Sequence, residues 1–245
     1  MVELQKVLID HYVGIEGLPQ YPVRVDLKSS QVLIKDFVGR VIEELGEGYE
    51  SWENYRNMFS NGISRDLMVP HLQNFNEECS DAVHFWLELL IFVGITEEVI
   101  QKYLDNGYQL GGNDTLKNLF IAGRAKFMSE FGARFNMPGF RVVNDSEVPE
   151  YLQGGNMVSD DRDHVMTHLL WKATYKLQIA RNCLKNKPWK QTQMQTDEKA
   201  FMEKILEASV YMFAFFDFVG MDSKSLYHIY YRKNQVNAFR IKSNY

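Results

Sequence analysis

Apolar residues recur at three- and four-residue steps along most of this chain, and that period leaves few architectures open. From Gln31 to about Tyr49, the residues Ile34, Val38, Val41, Ile42 and Leu45 fall on one stripe of an α-helix. From Asn74 to Val93 a second stripe carries Cys79, Val83, Trp86, Leu87 and Leu90, and Gly94 then punctuates it. Helical text continues roughly over 115–135, 161–186, 197–219 and 223–241, with Pro188 and Gly220 between the last three segments. Alternating strand patterns are almost absent, so the expected fold is all-α, a helical bundle forming a single domain over 1–245. Met137 to Asn156 holds two prolines and three glycines and reads as an inserted loop, a candidate lid over about 137–160.

A chain of 245 residues with 45% apolar side chains can bury a sizeable core. Its 27 basic and 32 acidic residues leave a net charge of −5, so no overall positive field draws it to nucleic acid. Cys79 and Cys183 lie far apart in helical text, as free thiols in a reducing compartment would, which predicts a cytoplasmic address. The apolar run Phe85 to Ile95 is broken by Glu88 and is too short to span a bilayer, and no signal segment is evident.

Two acidic pairs carry the chemistry. Glu44 and Glu47 stand three apart, so they share a helix face beside the first apolar stripe. Glu78 and Asp81 repeat the arrangement beside the second, with Phe85 near the same face. If the two helices pack antiparallel through their stripes, four carboxylates converge, and their mutual repulsion calls for a cation. An all-oxygen set favours a hard ion, Mg²⁺ first and Mn²⁺ as an alternative, with positions left for water and phosphates. Taken singly, such a pair is most often a solvated helix face, and it is the two pairs together that point to a metal. A carboxylate-bridged di-iron site fits poorly, because only one approximate acid-x-x-His spacing, Asp81 with His84, is present.

The terminal stretch LYHIYYRKNQVNAFRIKSNY supplies the opposite charge. Lys233, Asn237 and Arg240 fall at i, i+4 and i+7 and line one helix face, offering ammonium, amide and guanidinium donors suited to a polyphosphate. A second basic stretch, ARNCLKNKPWKQ, crowds Arg181, Lys185, Lys187 and Lys190 around Trp189, as an ordinary basic helix C-terminus also would.

The combination of VIEELGE, NEECSDAVHFWLELL and YYRKNQVNAFRIKSNY resembles the all-α nucleoside triphosphate pyrophosphatases of the MazG-like group, and specifically the dimeric dUTP pyrophosphatases. The ExxE and ExxD helices are shared widely in that group, and the terminal KNxxNxFR is the more specific element. The resemblance implies a homodimer in which Glu44, Glu47, Glu78 and Asp81 hold two or more Mg²⁺ ions, with Glu47 activating water. It also implies that Lys233, Asn234, Asn237, Arg240 and Tyr245 hold phosphates while a dNTP is split into dNMP and pyrophosphate. The matched stretches cover about 31–93 and 226–245, and where the family closes a tail over the phosphates the resemblance makes ARNCLKNKPWKQ the candidate to do so here.

Base selection is less constrained. Uracil-selecting members resemble one another in an N-terminal Gln-x-x-Asn, whereas this chain reads LQKVLID, with Gln5 but Leu8 or Ile9 where the amide would fall. Gln5, Trp52, His84 and Phe85 are the candidate base contacts. The expected substrate is dUTP, with dCTP or a modified pyrimidine dNTP as alternatives, and a non-catalytic helical binding protein as the competing class. The aromatic segment VYMFAFFDF is either a dimer surface or the bundle centre.

Overall fold

The computed structural model describes residues 1–131, 160–187, 189–192 and 194–243. Among these the secondary structure is helical, and no strand occurs. The elements are α1 (Val2–Glu16), α2 (Lys28–Ser60), α3 (Arg65–Val93), α4 (Glu97–Asp105), α5 (Thr115–Phe131), α6 (Asp160–Cys183), α7 (Glu198–Phe218) and α8 (Ser223–Lys242). The expected loop at 137–156 lies outside the described residues. Two helices, α1 and α4, were not anticipated from periodicity, and α2 and α3 both run longer than their apolar stripes.

The longest pair, α2 and α3, forms an antiparallel hairpin. Asn74 donates to Ser51 at 2.7 Å at one end, and Phe37 stacks on Phe92 with ring centroids 5.1 Å apart at the other. Between them Gly48 lets the helices approach, since a Cβ there would stand 3.5 Å from the Cβ of Glu78. That approach brings the two acidic pairs to the same level. Gly94 ends α3 in the left-handed conformation, φ 74°, which a glycine adopts at little cost.

The second layer is built on α7. Every residue from Val210 to Phe218 is buried, which places VYMFAFFDF at the bundle centre. Within the described chain the segment is therefore core and not a free surface. Helix α5 crosses it at Gly123, where an added Cβ would sit 2.5 Å from the Ala214 nitrogen. Arg124 is ion-paired with Asp217 at one end of that crossing, and Tyr211 donates to Glu130 at 2.5 Å at the other. On the other flank α6 packs antiparallel to α7, with Lys176 2.6 Å from Glu207. It also packs antiparallel to α2, through Tyr49 with Thr167 at 2.8 Å and an ion pair of Arg56 with Asp163.

Helices α1 and α8 cover the outer side of α3. Asp222 and Ser225 form a reciprocal capping box that starts α8. His84 on α3 stacks on Tyr230 of α8 at 4.2 Å, and the fully buried Gln5 of α1 bonds both. No helix among the described residues is long and apolar enough to cross a membrane.

Candidate active site

Glu44 and Glu47 project from α2, and Glu78 projects from α3 opposite Gly48. One carboxylate oxygen from each lies within 4.8 Å of the others, as a shared cation would require. Asp81 takes a different partner. Its carboxylate accepts a hydrogen bond from the Lys233 ammonium, and it stays close enough to Glu44 to repel its charge.

The electrostatics follow from crowding. Burial, then the charges and hydrogen bonding of Asp81, Glu78 and Glu47, push the Glu44 carboxyl up to about 8. Near neutral pH it therefore holds a proton, which it donates in a hydrogen bond to Glu78. Burial also raises Glu78 and Asp81, with Lys233 pulling against the rise in both. Of the three acids at this spacing Glu44 and Glu78 are partly buried and Glu47 is exposed, and a proton, a lysine or a metal among them relieves their repulsion.

The terminal helix brings its cations to α3. Lys233 reaches Asp81, lies 3.7 Å from Glu77, and has Arg232 beside it at 3.5 Å from the same glutamate. The Arg240 charge acts on Asp81, and Arg240 itself is exposed. Asn237 is half-buried. Asn234 points elsewhere: it is 4% exposed, one turn beyond Tyr230, with its amide nitrogen unpaired among the described residues. Tyr245 lies outside the described residues.

The four candidate base contacts separate into three places. Gln5 and His84 meet in a buried network, where Gln5 donates to Glu88 at 2.9 Å and its carbonyl receives the Tyr230 hydroxyl at 2.8 Å. His84 Nδ1 lies 2.8 Å from the same carbonyl, and burial drives the ring down to about 4, so it is neutral at physiological pH. Phe85 stands half-buried on the carboxylate face of α3, with the Arg40 guanidinium 5.4 Å from its ring centre. Trp52 packs in the hairpin core against Tyr55 and Phe75, with centroids 5.8 and 5.7 Å away.

Three residues escaped the sequence reading. Arg40 precedes Glu44 by one turn and bonds Asp36 at 3.0 Å. Glu77 sits on the outer flank of the second acidic pair and holds the α8 cations. Glu88 had a visible signal, as the one charge inside the Phe85 to Ile95 run.

The stretch Arg181 to Lys190 does not close over the carboxylates. Lys28 and Lys35 bond the carbonyls of Lys190 and Asn186, so this segment packs on the α2 face that carries residues 28, 35, 49 and 56. Glu44 and Glu47 lie roughly half a turn around the helix from that face. A chain-local reading of charge could not separate two faces of one helix.

No protein-family model, curated protein or solved structure matches this chain.

Proposed function

We propose that this chain hydrolyses a pyrimidine deoxynucleoside triphosphate, dUTP first, to the monophosphate and pyrophosphate. The observation that carries the reading is the meeting of Glu44, Glu47 and Glu78 within 4.8 Å, with Lys233 and Arg240 acting on the neighbouring Asp81. Acids and phosphate-binding cations at one place suit a substrate that is itself a polyanion needing a divalent counterion.

The donor set fits a hard cation. Every candidate ligand atom is a carboxylate oxygen, and Glu44 is driven to keep a proton that a metal would replace. Glu44, Glu47, Glu78 and Asp81 would hold Mg²⁺, which supplies charge neutralisation and a more acidic coordinated water. Glu47, the exposed member, takes the proton of the attacking water as the water oxygen bonds phosphorus and the bond to the leaving phosphate breaks. Lys233 and Arg240 compensate charge on the phosphates, and Phe85, on the carboxylate face, offers a ring for the base.

The test is incubation of purified protein with each dNTP, in Mg²⁺ or EDTA, with identification of the products. Expected is dUMP with pyrophosphate, abolished by EDTA. Cleavage of dCTP instead keeps the machinery and changes the base, and failure to cleave any nucleotide overturns the proposal.

A further inference from the structure

The basic segment after α6 is a built feature with no part in the carboxylate site. Asn186, 1% exposed, is its hub: its backbone N–H donates to Gln31 at 3.1 Å and its side-chain oxygen receives the Met194 N–H at 2.7 Å. Lys28 and Lys35 tie down the carbonyls of Lys190 and Asn186. The result concentrates Lys28, Lys35, Arg181, Lys185, Lys187 and Lys190, none ion-paired with an acid among the described residues. Lys187 and Arg181 are near enough to Lys35 to depress its basicity, beyond the effect of burial. A chain-wide net charge of −5 averages this patch away.

Two details single out the side chains of this turn. Lys185 occupies the left-handed region, φ 63°, directly after the helix, where glycine is the cheaper residue. Trp189 is 76% exposed, with the Lys187 ammonium 5.9 Å from its ring. An exposed row along α6 adjoins the patch at Arg181, whose guanidinium lies 3.5 Å from Gln178. Trp171, Tyr175, Gln178 and Asn182 stand at i, i+4, i+7 and i+11 and are all exposed, with the Trp171 and Tyr175 rings stacked at 5.1 Å.

Cations held together against their repulsion call for a polyanion, and exposed rings beside them call for flat partners. We propose that this loop and the outer face of α6 bind single-stranded nucleic acid, its phosphates on Arg181, Lys185, Lys187 and Lys190 and its bases on Trp189, Tyr175 and Trp171. An anionic membrane fits less well, because polar Gln178 and Asn182 separate the rings and no aliphatic stripe accompanies them.

The experiment titrates the full chain with dT and U oligomers of 4 and 12 nucleotides, reading tryptophan fluorescence, alongside phosphatidylcholine vesicles with and without phosphatidylserine. Expected is saturable quenching, tighter for the 12-mers, with a log–log salt slope of about −3 for four phosphates. A double variant, Lys187→Glu with Lys190→Glu, should weaken binding at least about tenfold. Lys185→Gly should weaken binding several-fold while the melting temperature holds or rises, because glycine relieves the backbone. No oligomer binding, binding to anionic vesicles alone, or unchanged affinity in the double variant would each overturn the proposal.

Discussion

The Lys233 ammonium donates to the Asp81 carboxylate, so a terminal-helix cation occupies the one acid of four that stands outside the 4.8 Å cluster. With Lys233 in place Asp81 is compensated without a metal. A divalent ion that recruits Asp81 competes with the lysine for that charge, and a displaced lysine is free for a phosphate. Lys233→Met should therefore bind Mn²⁺ several-fold tighter in a metal titration, and lower dNTP turnover by about 10²-fold, as loss of an electrostatic group in a polar site does. Unchanged Mn²⁺ affinity would show that the two cations do not compete.

Removing a carboxylate tests the cluster itself. Glu78→Gln and Asp81→Asn should each lower turnover by at least about 10²-fold while circular dichroism and melting remain near wild type, since the groups are only partly buried. Near-normal turnover in both would falsify the assignment of these acids.

Glu44 gives a pH dependence with a definite sign. Its folded pKa, about 8, lies above its ordinary 4.5, so the folded state binds the extra proton. The resulting stabilisation is full below pH 4.5 and is lost as pH rises through 8. Metal has to displace that proton, so the rise in melting temperature on adding Mg²⁺ should grow between pH 6 and pH 8.5, and Glu44→Gln should flatten it. An increment independent of pH sinks the idea.

His84 acts in the opposite direction. Its folded pKa, about 4, lies below its ordinary 6.5, so the unfolded chain binds more protons between those values. Stability from this group is present above pH 6.5 and declines as pH falls towards 4. In His84→Gln, denaturant midpoints should be lower overall but should fall less steeply over that interval; an identical slope would assign the acid response to other groups.

Gly123 and Gly48 make a matched pair for packing. A Cβ at 123 would lie 2.5 Å from the Ala214 nitrogen and 2.8 Å from the Phe213 carbonyl carbon, both backbone atoms that cannot step aside. Gly123→Ala should cost about 1–3 kcal/mol or more through forced separation of α5 and α7. At 48 the nearest atom is 3.5 Å away, an ordinary contact, so Gly48→Ala should fold with little loss. Equal denaturation midpoints for the two variants would refute this reading of the crossing.

The apolar stripes of α2 and α3 and the acidic pairs beside them could be read directly, because a 3.6-residue period and an i,i+3 spacing are local properties. Helix α4 escaped that reading because nine residues with two buried positions give little periodic signal. In α1 the acids interrupt an apolar stretch whose buried members, Gln5 among them, are not all apolar. The split among the base candidates was equally hidden, since Trp52 and Phe85 are alike in sequence and differ only in what packs on them.

By itself the sequence determined that this chain is helical and which short-range groups travel together, since neighbours three or four apart are fixed by the helix alone. The tertiary structure decided which of those groups face one another. It turned Asp81 towards Lys233, buried Asn234 away from its neighbours, and set the Lys185 to Lys190 loop on the far side of α2 from Glu44. Helix rotation and crossing are chosen by the packing of the whole core, a sum over distant side chains that no local spacing records.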